Sequence, residues 1–136
     1  MWMTRIPRER KYGITRCCCV GTSDLSPVGL LTVFGLSQRE DLLVEISADS
    51  AREILSRLLC SSFVGHFESM PPRRAHELAS EFVSEIASEG VRFYSNGLWT
   101  SPGPPSWNPL TDAVYDGGVI AIGPEISACV WIEEDD

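Results

Sequence analysis

Residues 75–87 read AHELASEFVSEIA, and residues 113–132, which follow the next long loop, read AVYDGGVIAIGPEISACVWI. In the first stretch Ala75, Leu78, Ala79, Phe82, Val83, Ile86 and Ala87 recur at i, i+3 and i+4. One apolar stripe of that period predicts a helix, ending at Gly90, a residue suited to the left-handed position just past a helix. In the second stretch Val114, Tyr115 and Val119 to Ile122 form one strand-length apolar run, and Ile126 to Ile132 form another. Gly123, Pro124 and Glu125 between them suit a turn, so a hairpin is predicted, with a bulge or bend at Gly117 and Gly118.

Working outward, Val91 to Tyr94 reads as a short strand. Ser50 and Glu53 have capping-box spacing, and Ala51, Ile54, Leu55, Leu58 and Leu59 follow at helical period, predicting a first helix to Cys60. Gly65, Pro71 and Pro72 separate the two helices. Val28 to Leu36 and Leu42 to Ile46 read as two strands joined by a polar loop, residues 37–41. Strands, two helices and strands again predict an α+β fold, a largely antiparallel sheet with two helices packed on one face. Residues 1–16 are basic and aperiodic apart from Ile6, Tyr12 and Ile14, and predict a mobile arm or a peripheral strand ahead of a single domain, 17–136.

A chain of 136 residues with 43% hydrophobic side chains suffices for one packed core. Its net charge of −8 is unevenly spread. Residues 1–16 set five basic side chains against Glu9, whereas the rest of the chain sets six arginines against eighteen carboxylates. An acidic body repels nucleic-acid phosphates and anionic membranes and attracts basic partners, so a basic protein partner is expected and nucleic acid is not. The longest nearly unbroken apolar run is nine residues, Val28 to Leu36, against the ~18–20 that a membrane helix needs. Five cysteines, three of them consecutive at Cys17, Cys18 and Cys19, suit a reducing cytoplasm better than a disulfide framework. The apolar stretch after the basic residues stops at Gly21, too soon for a secretory leader. Arginine outnumbers lysine ten to one, a bias expected of a GC-rich bacterial gene.

Candidate functional features are few. Asn96 to Asp112 is a 17-residue segment without helical or strand period, carrying Trp99, Trp107, Pro102, Pro104, Pro105 and Pro109. Long loops in small domains are often functional, and a proline-stiffened loop presenting indoles suits partner binding; equally, both indoles suit pinning the loop to the sheet. Glu77, Glu81, Glu85 and Glu89 lie four apart, opposite the apolar stripe, with no Lys or Arg four residues after any of them, and form a possible acidic ridge. Glu133, Glu134, Asp135 and Asp136 follow directly on a strand, and Glu133 and Glu134 are expected to join Asp112 and Asp116 in one anionic patch. His66 and His76 lack zinc-helix spacing, no Cys-x-x-Cys is present, and no phosphate loop or nucleophile elbow occurs, so no metal, cofactor or catalytic set is expected.

Trp107, Asn108, Pro109, Leu110, Thr111 and Asp112, then Asp116, Gly117 and Gly118, then Trp131 and Ile132 followed by four acids, resemble the ending of small bacterial α+β immunity proteins of polymorphic toxin systems. The resemblance covers about the last 40 residues, and no single motif in it is diagnostic. It implies a non-enzymatic inhibitor that masks a toxin or effector domain without a cofactor. Two readings follow: an acidic binding protein using Trp99, Trp107, Asp112, Asp116, Glu133 and Glu134, or a small cytosolic enzyme using Cys or His with carboxylates beside the 96–112 loop.

Overall fold

The expected hairpin of residues 113–132 is the centre of the molecule. In the computed structural model, which describes residues 1–22, 25–100 and 105–135, β4 (Tyr115–Ile122) and β5 (Ile126–Glu134) pair antiparallel from Tyr115 opposite Glu134 to Ile122 opposite Ser127. β1 (Ile14–Gly21) joins the free side of β5, and β3 (Arg92–Ser95) followed by β2 (Val44–Ile46) extends the sheet beyond β4. All neighbours in the order β1-β5-β4-β3-β2 are antiparallel. Both central strands are buried on both faces, which is why they read as continuous apolar runs rather than as an alternation.

The register passes through Gly117 and Gly118 without the expected bulge. The glycines serve packing instead. A Cβ on Gly117 would stand 2.5 Å from Cζ2 of Trp99, and one on Gly118 would collide with the Val130 carbonyl and the Trp131 ring. Bare backbone lets two indoles lie against the sheet.

Three helices cover one face. α3 (Ala48–Cys60) and α4 (Pro72–Ile86) bury Ala51, Ile54, Leu55, Leu58, Leu59, Ala75, Leu78, Ala79, Phe82 and Val83 against Val119, Ala121, Ala128, Val130 and Ile132. The cap of α3 is Ser47, whose hydroxyl accepts the Ser50 N–H at 3.1 Å, so the helix starts one turn ahead of the expected Ser50 cap. Two serines three apart offer the same side chain, and Asp49, inside the first turn, favours the earlier start through the helix dipole. α4 starts at Pro72 and ends at Ile86; Gly90 (φ +85°) belongs to the turn into β3.

The third helix, α1 (Trp2–Glu9), comes from the segment expected as an arm. Trp2 and Ile6, one helical turn apart, are buried in the same core, with Trp2 edge-on to Phe82 at 4.7 Å between ring centroids. The rest of that segment enters β1, which does lie at the edge of the sheet.

The opposite face is closed by a helix where a strand was expected. α2 (Pro27–Val33) starts at Ser26, whose hydroxyl accepts the Gly29 N–H at 3.1 Å, with Pro27 in the first position. It stops at Gly35 (φ +77°), and Leu36 N–H returns to the Leu31 carbonyl at 2.8 Å. Leu30, Leu31, Phe34 and Leu36 cover Ile120, Cys129 and Trp131. Serine, proline and glycine at the two ends outweigh the β-branched content of the run. The segment 37–41 is therefore no hairpin loop; a 3-10 turn, Glu40–Leu42, leads into β2, whose partner is β3.

Candidate functional site

The residues singled out from sequence converge on one end of the sheet, where β4 begins and β5 ends. Side chains alternate along both strands, and this divides them. Asp116 and Glu133 pair in register and face the α2 side, whereas Tyr115 and Glu134, also paired, face the side of α1, α3 and α4.

On the α2 side Asp116 is fully buried. Its Oδ2 accepts the Leu110 N–H at 2.9 Å, and its Oδ1 and backbone carbonyl both take the Asn96 amide, at 3.3 and 3.1 Å. Asn96 also donates to the Asn108 carbonyl at 2.9 Å. Asp116 thus ties the two ends of the 96–112 loop together and contributes no surface charge. Glu133 pairs with Arg16, and Asp135 Oδ1 accepts the Val114 N–H at 2.8 Å. Asp112, Glu133, Asp135 and Arg16 border an open depression of about 690 Å³ whose other described walls are residues 35–37, 109–111 and Ala113. Of the four carboxylates expected in one patch, Asp112 and Glu133 meet here, joined by Asp135.

On the other side Glu134 is only 5% exposed. It accepts Arg10 Nη2 at 2.7 Å and the Phe63 N–H at 3.1 Å. Arg10, 4% exposed, also donates to the carbonyls of Leu58 (3.0 Å), Ser61 (3.1 Å) and Tyr12. This ion pair fastens the end of α1 to the end of α3 and to β5. Beside it Trp99 is buried at 3% exposure and stacks on half-buried Trp107 at 5.3 Å. Phe63 meets Trp99 at 5.4 Å and lies parallel to Tyr115 at 6.0 Å. These rings, with Arg57, Ser61, Ser62, His66 and Pro105, line a second cavity of about 310 Å³. The 96–112 loop borders both sites: its Trp-bearing part lines the aromatic cavity and residues 109–112 line the acidic depression. Pro102, Pro104 and Asp136, which belong to the loop and tail readings, lie outside the described residues. Phe63, Tyr115, Arg57 and His66 escape a sequence reading because they come from separate elements that only the sheet register brings together.

The glutamate ridge is partly neutralised. Glu77 sits 3.1 Å from Arg74 and 3.6 Å from Arg73, both on the preceding turn, and Arg74 reaches Glu9 of α1 at 2.7 Å. The hydrogen bond from Arg74 holds the Glu9 carboxyl below its usual range, and the two glutamates make Arg74 more basic. Glu81 is half-buried, Glu85 is exposed, and Glu89 is exposed beyond the end of α4.

The cysteines are free thiols. Burial pushes the Cys17 thiol up to about 12 and holds Cys129 well above its ordinary value. Cys19 is raised by burial and by Cys18 and Glu85 beside it; Cys60, which lines an open depression with His76, is raised by burial and by Glu68. An activated nucleophile needs the opposite shift. With iodoacetamide at pH 8, mass spectrometry of the folded protein should therefore find Cys17 and Cys129 unmodified, because the Cys17 thiolate fraction is about one in ten thousand. Exposed Cys19 should react slowly, and all five should react after denaturation. Rapid labelling of folded Cys17, which is half-buried, would contradict a thiol raised that far.

Among the described residues no group of three or more His, Cys, Asp or Glu side chains is placed to hold a metal ion, and no helix is long and apolar enough to cross a membrane. No protein-family description, curated protein or solved structure matches the chain.

Proposed function

We propose that this protein is a non-enzymatic binding protein whose acidic surface masks a basic partner, as an immunity protein covers a toxin or effector domain. The observation that carries this reading is the open depression where Asp112, Glu133 and Asp135 stand around a single arginine, itself paired with Glu133. A lysine or arginine side chain of the partner finds there two carboxylates, Asp112 and Asp135, on exposed residues. The carboxylate excess of residues 17–136 adds a long-range attraction that raises the association rate with a cationic surface. Asp116 and Glu134 hold the loop and the ion pair together and take no part in docking. The raised thiols of Cys17, Cys19, Cys60 and Cys129 weigh against the alternative of a cysteine-based enzyme.

Affinity capture with the purified protein from its native host, followed by binding kinetics with whatever protein is retained, tests the reading. The retained protein should be basic. Replacing Asp112 and Asp135 by Asn leaves the Val114 N–H an acceptor and should leave the melting temperature unchanged, while lowering the association rate roughly tenfold at low salt. Raising salt from about 0.05 to 0.5 M should remove most of that difference, since the Debye length shrinks severalfold. An acidic partner, or an association rate indifferent to both carboxylates and salt, would overturn the proposal.

A further inference from the structure

The aromatic cavity is a second site, on the sheet face opposite the acidic depression, and its chemistry is the reverse. Among the described residues that line it there is no carboxylate, although the chain carries a net charge of −8. Its walls include the rings of Phe63, Trp99, Trp107 and Tyr115, and among the described lining residues the formal cation is Arg57. At about 310 Å³ it lies at the lower end of the range of small-ligand sites, roughly 300–1,000 Å³. Phe63 stacks on Tyr115 within 9° of parallel, and Trp99 on Trp107 within 20°.

One residue of the wall is held in an uncommon backbone conformation. His66, which also lines the cavity, has φ +55°, the one positive φ outside glycine among the described residues. It follows Gly65, at φ +76°, in the turn after Phe63. Backbone held in a sparsely populated region tends to mark residues whose placement is used.

We infer that this cavity binds a planar aromatic anion: one or two fused rings bearing a carboxylate or sulfonate. The ring system stacks on the aromatic walls and the acid pairs with Arg57. A quaternary ammonium, the usual guest of aromatic cages, is disfavoured, because an arginine replaces the carboxylate that such a guest needs. The site does not depend on the protein-masking function, and either can fail without the other.

The test uses 2-naphthoate as probe in isothermal titration calorimetry on the full chain, with neutral 2-naphthylmethanol and cationic 2-naphthylmethyl-trimethylammonium as comparisons. Naphthoate should bind saturably at one site per chain, the alcohol about tenfold more weakly, and the ammonium not measurably. Arg57 is solvent-exposed, so Arg57→Gln should fold normally; it should weaken naphthoate about tenfold and leave the alcohol unchanged. Absence of saturable naphthoate binding, equal affinity for Arg57→Gln, or tighter binding of the ammonium would each overturn the inference.

Discussion

Replacing Arg10 by Met should destabilise the protein by about 3–5 kcal/mol, the range for removing one partner of a buried ion pair. The guanidinium is closed off from water, and burial lowers its basicity, an effect that the hydrogen bond and charge of Glu134 partly offset. Methionine fills much of the volume of the arginine stem but leaves Glu134 facing the interior with no cation. The Leu58, Ser61 and Tyr12 carbonyls lose their donor in the same step. Since the cost lies mainly in the uncompensated carboxylate, a second change, Glu134→Gln, should recover much of it, because a neutral amide oxygen still accepts the Phe63 N–H. Urea unfolding of the single and double variants measures this as a shift of midpoint at constant slope. A loss below about 1 kcal/mol for Arg10→Met would mean that water reaches the pair and that it behaves as a surface bridge.

That ion pair also shows where the sequence stops being informative. Arg10 stands in a run of basic residues and looks like any solvated arginine, and its partner lies 124 positions away. Asp116 gives the same lesson. As a letter it is a surface acid in a hairpin, but Asn96 and the Leu110 amide supply donors that make its burial tolerable, and those donors come from both ends of a loop. By contrast α4, β4 and β5 were legible, because their apolar periods are long and each is its own evidence. α2 was misread for a local reason. Leu30, Leu31 and Phe34 satisfy a helical period as well as a strand run, and the deciding residues, Ser26, Pro27 and Gly35, lie at or just beyond the ends of the helix. The expected anionic patch was half legible: Asp112 and Glu133 do share a depression, but strand alternation sends Glu134 to the opposite face. A run of neighbouring acids at the end of a strand cannot form one patch, since every second side chain changes side.

Trp2→Ala should cost about 3–5 kcal/mol, as much as Phe82→Ala in the centre of α4, because both are large side chains at 1% exposure or less in a single core. The aperiodic reading of residues 1–16 passes over the i, i+4 pair Trp2 and Ile6, the only two residues of α1 that are buried. A mobile arm would make substitutions there nearly neutral, within about 0.5 kcal/mol, so the two pictures differ by several kilocalories per mole. The Trp2–Phe82 contact is edge-to-face, with planes at 83°, a geometry that adds roughly 0.5–1.5 kcal/mol beyond burial. The double variant should therefore lose less than the sum of the single losses by about that amount, provided each single variant remains folded enough to measure in urea. Trp2→Phe supplies a milder change for the same comparison. Strict additivity would place the two rings in independent packing environments and detach α1 from α4; a near-neutral Trp2→Ala would return the first nine residues to an arm. The expected coupling instead makes α1 part of the core, and it explains why Arg10, which follows directly on that helix, can be held rigidly enough to meet Glu134.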